Sequence, residues 1–149
     1  MLRSVNMKEE IPDYSMPENF VCSKEDTGII ILGHGSRRQE ANQEWELIWK
    51  LFREAHPDLK VQRGYIEFVN PTLAGGVELL LEEEKLKNIV IVPLFLTTGR
   101  HLYQHIPEMI ANIEAKHPDI QFVLSDHIGP DKLLLKIIEK RITEAGIMD

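Results

Sequence analysis

Residues 29–32 read IIIL and residues 89–92 read IVIV, with no polar residue alternating among the apolar ones. A strand wet on one face alternates; a continuous aliphatic run marks a strand buried on both. A chain holding such strands has to lay helices over both faces of its sheet. The segments between them have the helical spacing this demands.

Ala41, Trp45, Ile48, Trp49 and Phe52 recur at helical spacing, and Ala55-His56-Pro57 stops that helix. Residues 61–69 are rich in β-formers and read as a second strand. Asn70-Pro71 then offers an N-cap and a first-turn proline to a helix with the stripe Leu73, Val77, Leu80 and Leu81. Residues 89–96 form a third strand. Ile106, Met109, Ile110 and Ile113 mark a third helix, closed by Lys116-His117-Pro118. Residues 120–124 are a short fourth strand and 133–142 the last helix. Strand and helix alternating four times predict an α/β fold: a parallel four-stranded sheet, helices on both faces, right-handed crossovers. Residues 1–26 lack periodicity and are expected to be a mobile arm, leaving 27–149 as one domain. No repeat is visible.

In an open parallel sheet, ligands bind beyond the C-terminal strand ends. The first strand is followed by Gly33-His34-Gly35-Ser36-Arg37-Arg38, and Glu67 comes late in the second. Thr97-Thr98-Gly99-Arg100-His101 follows the third, with His105 a little beyond, and Ser125-Asp126-His127 follows the fourth. Histidine or carboxylate at every strand end is a sharper pattern than any one motif. Neutral imidazole binds divalent first-row metals and titrates near neutrality. The flanking glycines permit a sharp turn and close approach of a flat ligand. Arg37, Arg38 and Arg100 carry forked donors suited to carboxylates or phosphates, although arginines so placed also serve simply as solvated partners of Glu40 or Glu44. GHGSRR lacks the spacing of a phosphate loop. Glu67, inside a run of β-formers, is costly to bury unless paired, or else faces solvent at an edge. His56 and His117, each before a proline at a helix end, read as structural.

The net charge of −7 argues against nucleic acid. No apolar run is long enough for a membrane helix, and no secretory leader is recognisable. The single cysteine, Cys22, excludes an internal disulfide and fits a reducing cytoplasm.

Taken together, GHGSRR, the glutamate within GYIEFVNPTL, and VPLFLTTGRHLYQHIP resemble the small sirohydrochlorin cobaltochelatases and their nickel-inserting archaeal relatives, over about residues 28–142. The resemblance implies a flavodoxin-like, chelatase-like domain. It also implies ATP-independent, class II insertion of a divalent metal into sirohydrochlorin, on the way to cobalamin or a related tetrapyrrole. His34 and His101 match the metal-binding histidines, and Glu67 matches the residue that assists with metal or protons. Ser36, Arg37, Arg38 and Arg100 are expected against the substrate's carboxylates. His105 stands where relatives carry Asp, and is a candidate third ligand, a metal-selecting change or a substitute cap. On a helix, His101 and His105 would share a face, but Pro107 argues against a settled helix there. No cofactor is implied beyond the metal substrate, Co²⁺ first, Ni²⁺ or Fe²⁺ otherwise. One rim covers only one side of a wide macrocycle, so a homodimer is expected. The competing readings are a metal carrier or tetrapyrrole-binding module without catalysis, a zinc hydrolase, and a flavodoxin-like domain with incidental histidines.

Overall fold

The computed structural model describes residues 5–6, 11–18, 20, 22–97 and 99–147, the side chains of Val5, Asn6, Arg100 and His101 excepted. Its elements run β1 (Val5–Asn6), β2 (Ile11–Pro12), β3 (Thr27–Gly33), α1 (Gln39–Ala55), β4 (Lys60–Tyr65), α2 (Leu73–Glu83), β5 (Asn88–Pro93), α3 (Arg100–Lys116), β6 (Gln121–Leu124) and α4 (Leu133–Glu144). The main sheet has the order β4-β3-β5-β6, all pairs parallel. This is the α/β architecture that the unbroken aliphatic runs require.

The two sheet faces follow from the period of two along each strand. Ile30 and Leu32 of β3, Ile89 and Ile91 of β5, and Phe122 of β6 pack with Leu73, Val77 and Leu80 of α2 and with Ile106, Ile110 and Ile113 of α3. The alternate residues carry the other face, where the Arg63 guanidinium of β4 lies 4.3 Å from the ring centre of Trp49 on α1 and also bonds Glu46 at 2.8 Å. The helix after β3 thus lies on one face and the helix after β5 on the other. Because β3 and β5 are neighbours, the strand connections part at their C-terminal ends and leave a crevice there. Gly76 lets α2 sit tightly on the sheet: a Cβ there would meet the Arg63 carbonyl at 2.3 Å.

The structure departs from the sequence expectations in several places. The second strand ends at Tyr65 rather than continuing to residue 69, so Glu67 lies in a loop. That loop closes on itself: the Tyr65 N–H donates to the Pro71 carbonyl at 2.9 Å. The cap of α2 is Thr72, whose Oγ1 accepts from the Gly75 N–H at 3.1 Å, and not Asn70. The third strand ends at Pro93 rather than residue 96. Helix α3 runs straight through Pro107. Pro107, Ile106 and Ile110 are all buried, and that burial outweighs a missing helical hydrogen bond and ring clash of about 3 kcal/mol. Residues 11–15, within the stretch expected to be mobile, are docked: Ile11 and Tyr14 are buried. The Tyr14 carbonyl accepts from the Leu124 N–H at 2.7 Å, and its hydroxyl donates to Glu114 at 3.2 Å. Helix α4 contains no buried residue.

Candidate functional site

The crevice is built from the loops that leave β3 and β4. Ladder-like bonding continues past both strands. The Ile66 N–H donates to the Gly33 carbonyl at 3.0 Å and the Glu67 N–H to the His34 carbonyl at 3.1 Å. His34 and Glu67 are therefore held opposite each other by backbone, although 33 positions separate them in the chain. Gly35 makes this possible. Its φ of +88° lies where other residues are strained, and a Cβ at this position would sit 1.8 Å from the Glu67 carbonyl oxygen.

The imidazole is oriented as well as placed. Nδ1 of His34 lies 3.0 Å from the Gly35 carbonyl oxygen. That oxygen only accepts, so the bond puts the neutral ring's proton on Nδ1 and leaves Nε2 with its lone pair. Nε2 faces Oε1 of Glu67 at 3.7 Å, with both side chains a little under half exposed. Two Lewis bases aimed at one another favour a cation between them. Two bonds of about 2.1 Å span a 3.7 Å gap at an angle of about 120° at the metal, an open but reachable geometry. The Phe95 ring meets the His34 ring edge-on, its centre 6.4 Å away, and limits how the imidazole swings.

The remainder of the first loop is clamped from α1. The Asn42 side chain accepts from the Ser36 N–H at 2.9 Å and donates to the Ser36 carbonyl at 2.8 Å. The Ser36 hydroxyl oxygen accepts from the Arg38 N–H at 3.0 Å, leaving its own hydrogen to donate elsewhere. The Arg37 guanidinium stacks on Phe68, 4.9 Å from the ring centre. At the end of β4, burial pushes the Tyr65 phenol up from its usual value.

Of the residues singled out from the sequence, the structure brings His34, Glu67, Ser36 and Arg37 to one rim, with Arg38 beside them at the start of α1, where its side chain makes no capping bond. The side chains of Arg100 and His101 lie outside the described residues, and so does the expected convergence of His101 on His34. Their backbone forms the first turn of α3, and His105 comes one turn later on an exposed part of that helix. Among the described residues no three His, Cys, Asp or Glu side chains are grouped to hold a metal. Asn42, Phe68 and Phe95 were not anticipated. The signal for Asn42 was weak: one amide in the first turn of an amphipathic helix.

Comparison with known proteins gives a consistent picture. The family model CbiX matches residues 28–145. The chloroplastic sirohydrochlorin ferrochelatase of Arabidopsis thaliana is 33% identical over 115 residues, 77% of this chain and 51% of that protein. The sirohydrochlorin cobaltochelatase of Methanosarcina barkeri is 27% identical over 128 residues, 81% of this chain and 98% of its own length. Among solved structures, the sirohydrochlorin chelatase SirB from Bacillus subtilis subspecies spizizenii, in complex with cobalt, superposes with a TM-score of 0.73 at 29% identity, covering 80% of this chain and 50% of that one. The chain spans about half the length or less of the first curated relatives it matches.

Proposed function

Because this chain belongs to the CbiX family, we propose that it inserts a divalent metal into sirohydrochlorin without ATP, with Co²⁺ as the metal of first choice. The observation that carries the reading is the His34–Glu67 pair, two bases 3.7 Å apart with the imidazole proton held on the far nitrogen. Metalation exchanges two pyrrole N–H protons for one divalent ion. Its barrier comes from stripping water off the ion, removing the protons and bringing the ion to the ring face.

Each step has a residue suited to it. His34 and His101 replace water on the incoming ion and hold it at one face of the macrocycle, with His105 as a candidate third ligand. As the metal–nitrogen bonds form the ion leaves Glu67, and the freed carboxylate takes up a pyrrole proton. Its partial exposure lets that proton pass to water, and the second pyrrole proton leaves by the same route once the carboxylate is free again. Ser36, Arg37, Arg38 and Arg100 anchor the substrate's carboxylates. Iron and nickel are the alternative metals, since affinity order depends weakly on which imidazoles bind; ferrochelatases and cobaltochelatases both occur among the relatives.

The assembly proposed is a homodimer. Its support is apolar surface exposed among the described residues, at Leu47 and Leu51 on α1 and Leu135 and Ile138 on α4, each at least half exposed. A cytoplasmic setting is proposed from the exposed free thiol of Cys22. Among the described residues no helix is long and apolar enough to cross a membrane.

The test is anaerobic sirohydrochlorin mixed with Co²⁺, Ni²⁺ or Fe²⁺, followed by absorption with and without protein. The protein accelerates metalation by at least one of these ions. His34→Ala and His101→Ala lose most of the acceleration, and Glu67→Gln loses rate while remaining folded. No acceleration by any ion contradicts the proposal. A Glu67→Gln variant with full rate removes Glu67 from the mechanism.

A further inference from the structure

Phe68 is the one non-glycine residue with a positive φ among those described, at +68°. A bulky side chain there is an outlier, and such strain gathers where a protein uses the conformation. Glycine or asparagine would make the same turn with less strain. The core does not use the ring either, since Phe68 is 54% exposed. It directly follows Glu67, whose backbone N–H is bonded to the His34 carbonyl, so Phe68 is the next residue along the loop from the donor pair. The Arg37 guanidinium lies against it, 4.9 Å from its centre.

A flat ring with a forked cation stacked on it complements one class of ligand: a planar, conjugated macrocycle with carboxylates at its periphery. The aromatic surface meets the π-face and the guanidinium meets a peripheral carboxylate. We infer that Phe68, steadied by Arg37, is the wall on which the macrocycle stacks, and that the strained backbone is kept to hold the ring there. This rests on the chelatase reading and names the residue that recognises the flat face of the substrate. The role is one of substrate contact; metal and protons are handled by other residues.

The experiment titrates metal-free sirohydrochlorin, anaerobically, into the wild-type chain, Phe68→Gly and Phe68→Trp, following the macrocycle's absorption band. Thermal melting and binding of Co²⁺ alone are measured on the same proteins. Phe68→Gly weakens macrocycle binding about tenfold, leaves Co²⁺ affinity unchanged, and melts no lower than wild type because the strain is gone. Phe68→Trp keeps tight binding. Unchanged macrocycle affinity in Phe68→Gly overturns the inference. So does a loss accompanied by a lower melting temperature and weaker Co²⁺ binding, which marks the ring as structural. A wild-type chain that binds no macrocycle at all refutes the chelatase reading itself, and this inference with it.

Discussion

Gly35→Ala is the sharpest perturbation of the site, because it adds one methyl group and touches no functional side chain. Its Cβ would lie 1.8 Å from the Glu67 carbonyl oxygen, so the two loops must part by about 1.2 Å before the contact reaches even 3.0 Å. The φ of +88° adds about 1–2 kcal/mol for a residue with a Cβ. Parting the loops also strains the Ile66–Gly33 and Glu67–His34 backbone bonds, each worth about 1 kcal/mol net. The expected destabilisation is therefore about 2–4 kcal/mol, read by denaturant or thermal unfolding. The expected loss of metalation rate is about 100-fold, since an error of 1 Å in a reacting constellation costs about that much. Gly146→Ala separates the two causes: its φ is also +88°, but a Cβ there meets nothing within 4 Å. It loses about 1 kcal/mol of stability and no activity. Gly35→Ala with wild-type stability and rate refutes the claim that close backbone approach sets the His34–Glu67 geometry.

Asn42→Ala frees the Ser36 backbone from both of its side-chain bonds; stability falls by about 1–2 kcal/mol in unfolding experiments, and kcat/KM falls about tenfold in the metalation assay. Tyr14→Ala distinguishes a docked N-terminal segment from a mobile one: with Tyr14 only 2% exposed, it costs about 3 kcal/mol in denaturant unfolding, whereas a mobile arm costs nothing. Asp58 pairs with Lys24 at 2.6 Å, and that hydrogen bond holds its carboxyl below the usual 3.8. A lowered folded value stabilises above the unfolded one and is lost as the pH falls through the folded one. The gap in melting temperature between wild type and Asp58→Asn is therefore present at neutral pH and closes below about pH 3.8.

The order of strands and helices was legible because burial on both faces leaves a short unbroken aliphatic run, and helical spacing takes over between one run and the next. The ends of those runs were less legible. Residues 66–69 keep the β-forming character of the strand before them, yet the strand ends at Tyr65. What turns the chain there is a backbone conformation at Phe68 that its side chain does not advertise. Pro107 misled in the opposite sense: a local preference against helix lost to the burial of its own turn. Ile11 and Tyr14 were hidden because two buried residues in a polar tract make no period. At the site, His34 and Glu67 stood out because a parallel sheet gathers its C-terminal strand ends on one rim, and both residues sit at such ends. Asn42, which grips the loop backbone through its amide, was invisible to any pattern of residue types. The resemblance supplied the chemistry; the facing of Nε2 and Oε1 needed coordinates.

The central claim is that the gap between His34 and Glu67 receives the metal. Crystals of the full chain soaked in Co²⁺, measured at the cobalt absorption edge, test it directly. The account predicts an anomalous peak about 2.0–2.2 Å from Nε2 of His34 and within bonding reach of Glu67, absent in His34→Ala crystals. A fully occupied cobalt elsewhere, with Nε2 of His34 unligated, contradicts it.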